Sequence, residues 1–313
     1  MRRIPVAGAL LLAVLLLIAA GTFALDMRRA YVRVGGAGQT VATRYGAIEY
    51  TRGGHGPPVL VIHGAGGGYD QGQLLVEAVL GDDFHWITPS RFGYLGSAMP
   101  AAATWDDQAH AFALLLDELE VDRVAVVALS QGGASALLFA LLYPERVSSL
   151  TCLSCGVVAA ASGDQDDANR KGNLLRMIYS SDITYWPMSR FFRRQFMGVL
   201  GASRDVVAAL TPEQRSIIER IVEYMNPASL RSAGVRMDNE AALPGERIAA
   251  VTAPTLIVHA RDDLLQLYHN AEFAAATIPG ARLLSFDAGG HVVIAVERAT
   301  IRRAVREHIL AHD

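Results

Sequence analysis

Short apolar runs and amphipathic stretches alternate along most of this chain. Pro58 to His63, Phe84 to Thr88, Arg123 to Leu129, Val147 to Cys155, Thr255 to His259 and Arg282 to Phe286 are apolar and bounded by glycine, proline or charge, so they predict strands. Tyr31 to Val34 and Ala47 to Thr51 predict two more near the start. Between the runs, apolar residues recur at helical spacing: Leu74, Leu75, Ala78 and Val79, then Phe112, Leu115, Leu116 and Leu119, which Thr104 and Asp107 open with an N-cap signature. Ala134 to Tyr143, stopped by Pro144, Ala271 to Ala276, and about Val296 to Ala311 predict further helices. Buried strands alternating with helices predict an α/β fold, a mostly parallel twisted sheet flanked by helices.

Two stretches break the rhythm. Residues 157–248 are helical and more polar, and Thr211-Pro212-Glu213-Gln214 marks a helix start by capping box and first-turn proline. An insertion between two strands of one sheet predicts a helical lid over the strands' carboxyl ends, where open α/β sheets bind ligands. Met177, Tyr179, Tyr185, Trp186, Met188, Phe191, Phe192, Phe196 and Met197 give that lid either an ordinary core or an adaptable apolar wall for an acyl or aromatic group. Arg190, Arg193 and Arg194 beside them read as a solvated face. The second stretch is residues 1–28. Met1-Arg2-Arg3 precedes a run from Ile4 to Leu25 without a charge, and Asp26, Arg28 and Arg29 follow. About 22 residues at 1.5 Å each span roughly 33 Å, enough for a bilayer core. An N-terminal membrane anchor is favoured; a signal segment cleaved after Thr22-Phe23-Ala24 is the alternative, and would make the protein secreted or periplasmic. The α/β core is then 29–156 with 249–313.

Composition narrows the picture. With 51% hydrophobic and 19% charged residues, the 313-residue chain can bury a sizeable core, and a net charge of −3 without basic clusters excludes a nucleic-acid footprint. Cys152 and Cys155 form a CxxC inside an apolar strand, where positions three apart point to opposite faces. They read as two small core residues, and no second ligand pair suggests zinc.

The candidate chemistry centres on Ser130. Val124 to Leu129 ends on Ser130-Gln131-Gly132-Gly133, and a long apolar helix pattern follows at once. That switch is how a nucleophile elbow reads: a tight strand–turn–helix that lifts one hydroxyl above a sheet end. Ser154 in Cys152-Leu153-Ser154-Cys155-Gly156 has the same spacing, but the polar Ser162 to Asp167 stretch behind it offers no comparable helix. A serine needs a base, and the base an orienting group. His291, in Asp287-Ala288-Gly289-Gly290-His291, follows the last strand and can reach the same sheet end. His259-Ala260-Arg261-Asp262-Asp263 supplies the acid after another strand. His63, next to Gly64, braces its own loop.

The residues from about Tyr45 to Ala311 resemble the α/β-hydrolase superfamily, in its lidded serine-hydrolase branch of esterases, C–C bond hydrolases, lactonases and cofactor-free haloperoxidases. The resemblance is carried by Ala128-Leu129-Ser130-Gln131-Gly132, His63-Gly64-Ala65-Gly66, Ala260-Arg261-Asp262-Asp263 and Gly290-His291, in the family's order. It implies Ser130 as nucleophile, His291 as base and Asp263, preferred over Asp262, as acid. It also implies an oxyanion hole from the N–H groups of Ala65 and Gln131, with His63, Gly64, Gly66 and Gly132 in support. Ser90-Arg91-Phe92-Gly93 departs from the family's Asp-x-x-Gly after the fourth strand. The implied activity is acyl transfer to water on a small hydrophobic ester, without metal or cofactor. C–C bond hydrolysis, lactone hydrolysis and ligand binding without catalysis are the alternatives.

Overall fold

Val6–Val34 form one continuous helix, α1, in the computed structural model, which describes residues 6–158 and 163–313. Arg2 and Arg3, and residues 159–162 at the start of the insertion, lie outside the described residues. The predicted strand at Tyr31–Val34 is instead the last turn of α1. Its β-branched alternation is overridden because a helix places Met27, Ala30 and Val34 on one buried face. Gly35, whose N–H reaches Tyr31 O at 2.8 Å, and Gly36 at φ 78° then end the helix.

After α1 come β1 (Gln39–Thr43), β2 (Gly46–Gly53), β3 (Pro58–Ile62), α2 (Tyr69–Val79), β4 (His85–Pro89), α3 (Trp105–Glu118), β5 (Val124–Leu129), α4 (Gly132–Leu142) and β6 (Val147–Leu153). The insertion contributes α5 (Gly163–Ile178), α6 (Asp182–Phe191), α7 (Arg193–Val199), α8 (Arg204–Ala209), α9 (Pro212–Tyr224) and α10 (Ser232–Glu240). The chain closes with β7 (Thr255–Ala260), α11 (His269–Thr277), β8 (Arg282–Phe286), α12 (Val293–Val296) and α13 (Arg298–Leu310).

The eight strands make one sheet in the order β1-β2-β4-β3-β5-β6-β7-β8. From β4 to β8 the neighbours are parallel, whereas β1 and β2 join the edge antiparallel. β1 has no clear apolar alternation, being an exposed two-sided edge strand. Val59, Val61, Val127 and Val258 pack one face of the sheet against α2 and α13 residues such as Leu75 and Ile301. Leu60, Val126 and Leu150 pack the other against α3 and α4 residues such as Phe112 and Phe139. This two-faced burial is why the strands read as unbroken apolar runs. Thr104 and Thr211 each form a full capping box, with Asp107 and Gln214.

Two expectations around β6 need correcting. Residues 163–167 of the polar stretch behind Ser154 open a helix, α5, where Asp166 and Asp167 suit the positive end of its dipole. The strand ends at Leu153, and Ser154 takes φ 49°, so Cys155 is turned back and joins Cys152 in one core cluster. Strand alternation therefore does not separate the two thiols.

Candidate active site

The β5–α4 turn lifts one hydroxyl off the end of the sheet because its backbone has little choice. Ser130 sits at φ 52°, rarely adopted by a residue with a side chain, and is fixed by Ser130 N–H to Leu153 O (2.9 Å) and Gly133 N–H to Ser130 O (3.0 Å). A Cβ on Gly132 would meet His63 O at 2.5 Å, so only glycine lets α4 start against the end of β3.

Ser130, His291 and Asp263 stand in one hydrogen-bonded line. The Ser130 hydroxyl donates to His291 Nε2 (2.9 Å), and His291 Nδ1–H donates to Asp263 Oδ2 (2.8 Å). The other carboxylate oxygen, Oδ1, accepts from Leu265 N–H (2.8 Å) and Gln266 N–H (2.9 Å), so the buried Asp263 keeps one orientation. Asp262 faces elsewhere: its Oδ1 accepts from Gly290 N–H at 2.7 Å and so holds the loop that carries His291. His259 lies beneath, Nε2 3.5 Å from Asp263 Oδ2 and 2.6 Å from Gln266 O. Burial, opposed by the charge of Asp263, lowers its pKa and keeps it neutral. Sequence spacing did not single out His259 as part of this cluster.

The loop after β3 runs past Ser130. The N–H groups of Ala65 and Gln131 donate to no other described residue. Gly64 N–H donates to Gln71 Oε1 (2.9 Å), and Gly66 N–H faces the Tyr94 hydroxyl. His63 is fully buried: its Nδ1–H donates to Gly64 O (2.7 Å) and its Nε2 accepts from Arg91 N–H (2.9 Å), which assigns the neutral tautomer. Burial, then the charge of Arg91, pushes its pKa well below the ordinary range. Arg91 is buried too. Its Nε–H donates to His63 O (3.0 Å), and its fork meets Asp238 of α10 at 2.7 and 2.9 Å.

A cavity of about 1350 Å³, counted with its open mouth, rises from Ser130. Leu74, Leu175, Ile218, Ile221, Met225 and Val235 are among its walls, so α2 and the insertion enclose it. At one end Glu77 pairs with Arg220, and Arg298 donates to Glu77 O. Of the aromatic and methionine residues expected as an apolar wall, Tyr179 lines the cavity. Met177, Phe191 and Phe192 point outward, Trp186 packs on Phe23 of α1, and Tyr185 and Phe196 are buried in the insertion's own core. Arg190 and Arg193 face Asp26 and Glu219 at the surface.

Residues 57–297 match the α/β hydrolase fold family. The chain belongs to that family. A hydrolase of Bacillus subtilis named only as uncharacterized is 28% identical over 264 residues, 82% of this chain and 92% of that protein. The 2-hydroxy-6-oxo-6-phenylhexa-2,4-dienoate hydrolase of Burkholderia cepacia is 26% identical over 254 residues, 78% of this chain and 84% of its own. A thermophilic esterase from Thermogutta terrifontis, 21% identical, has the same fold with a TM-score of 0.68 over 88% of this chain and 99% of that one.

In this α/β hydrolase the two thiols have no visible part in the site. Burial and its neighbour Cys152 push the Cys155 thiol well above its ordinary range, which makes it inert. No group of three or more His, Cys, Asp and Glu residues is arranged to hold a metal among the described residues.

Proposed function

We propose that this hydrolase is a membrane-anchored serine carboxylesterase acting on hydrophobic esters. The observation that carries the reading is the line Ser130–His291–Asp263 at the floor of an aliphatic cavity. Ser130 attacks the ester carbonyl while His291 Nε2 takes its proton, and Asp263 holds the imidazole and stabilises the imidazolium. The oxyanion is met by Ala65 and Gln131 N–H, each such donor being worth about 10²–10³ in rate. His291 then returns the proton to the alcohol, and water activated by the same imidazole releases the acid. Residues 157–248 act as the lid and supply much of the acyl wall. Residues 1–28 act as the anchor: Phe23 packs on Trp186 at 5.4 Å and Tyr69 donates to Val34 O, so the helix continues unbroken into the body, in keeping with a retained segment.

The test is labelling of the full-length protein by a fluorophosphonate, with a p-nitrophenyl ester series. Wild type is labelled and Ser130→Ala is not, and ester turnover falls on the order of 10⁴–10⁶-fold. KM falls roughly fourfold per added methylene while the chain still lies in the cavity, since each buried methylene is worth about 0.8 kcal/mol. Likeness to the dienoate hydrolase favours C–C bond hydrolysis as the second reading. Rapid turnover of such a dienoate with slow ester cleavage would replace the first. No labelling of intact wild type would sink both and leave a ligand-binding protein.

A further inference from the structure

The apolar surface of α1 continues onto the insertion. Phe191 (60% exposed) and Phe192 (45%) project from the end of α6 into solvent. Soluble proteins rarely collect such side chains in one patch without a partner. Their neighbours say what that partner is. Trp186 is stacked edge-on between Phe23 of α1, at 5.4 Å, and Phe191, at 5.2 Å. Its indole N–H donates to Asp26 at 2.9 Å, and Asp26, 3.7 Å from Arg190, is the first charge after the apolar run of α1. The exposed phenylalanine therefore stands beside α1 at the level where its charge-free stretch ends. Arg28, Arg29 and Arg190 are exposed around that level. A tryptophan with its N–H on a polar partner, apolar rings beyond it and arginines around it make the composition of a bilayer interface.

We infer that this face of the insertion rests in the headgroup region of the bilayer that α1 crosses. Phe191 and Phe192 enter the acyl boundary, and the arginines meet anionic headgroups. The inference rests on the anchor reading, and its occupant is a lipid surface, because the patch is continuous with the one helix among the described residues long and apolar enough to span one.

The test uses full-length protein in vesicles of equal parts phosphatidylcholine and phosphatidylglycerol. Cys152 and Cys155 are buried, so a nitroxide reagent reaches cysteines placed at the surface. Phe191→Cys reports the patch, Leu16→Cys the anchor and Arg303→Cys a solvated position on α13. At 191 and 16 the label is expected to be relaxed by oxygen and shielded from a water-soluble nickel chelate, with the reverse at 303. A label at 191 as open to the chelate as that at 303, with 16 shielded, overturns the patch and spares the anchor. Chelate access at 16 overturns both.

Discussion

His63 shows how much one buried side chain determines here. Its imidazole ties Gly64 O to Arg91 N–H, and both bonds require the neutral ring with its proton on Nδ1. Burial first, and the Arg91 charge second, hold its pKa well below the ordinary 6.5. The unfolded chain takes up a proton near pH 6.5 and the folded chain does not, so folding loses free energy as the pH falls. The stability that neutral His63 contributes is therefore complete well above pH 6.5 and is lost progressively as the pH falls through and below that value. His259 and His308, lowered mainly by burial, act in the same direction. Urea midpoints measured between about pH 7.5 and 5.5 should fall. His63→Gln should be less stable at the upper end and fall less steeply; an unchanged slope would remove His63 from the account.

At the scale of elements, α10 is tied to the sheet by charge. Arg91, directly after β4, and Asp238, on α10, are each about 1% exposed, and the Tyr94 hydroxyl donates to the same carboxylate. Asp238→Ala leaves a guanidinium buried without its partner, a loss of about 3–5 kcal/mol. Arg91 also holds His63 O, so the damage should reach the loop of Ala65. Denaturant unfolding checks the first effect. A fall in kcat larger than any rise in KM checks the second, with Asp238→Asn restoring part of both. None of this pairing was legible in the sequence, because 147 residues separate its ends. What was legible rested on local signals: Ser130 between an apolar strand and helix, Gly290-His291 after β8, and the caps at Thr104 and Thr211. Tyr31–Val34 misled for the opposite reason, since a local β pattern was overruled by the face that α1 buries against the body. The outward turn of Phe191 and Phe192 was hidden likewise, because apolar type alone does not say which neighbour a helix meets.

Across the whole molecule, Asp70 joins three regions that the chain order keeps apart. Arg33, at the end of α1, and Arg231, just before α10, both pair with its carboxylate at the first turn of α2. Arg231 also donates to Gly67 O in the loop beside Ala65, and both arginines reach Tyr224 O at the end of α9. Burial alone would raise the pKa of Asp70, but the charges and hydrogen bonds of Arg231 and Arg33 outweigh it and hold the carboxyl below its ordinary 3.8. The two arginines are not equivalent. Arg231 is fully buried and touches the loop; the Arg33 side chain is 23% exposed and belongs to the helix that leaves the body. Arg231→Ala should therefore lose about 3–5 kcal/mol and reduce kcat, while Arg33→Ala should lose about 1–2 kcal/mol and leave kcat nearly unchanged. Arg33→Ala should instead speed proteolysis between α1 and β1, because the last turn of α1 is freed from the body. In the double variant Asp70 has neither partner, so the combined loss should exceed the sum of the single losses by at least about 1 kcal/mol. Additive losses in detergent or vesicles would mean that α1 and the loop of Gly67 are not coupled through Asp70.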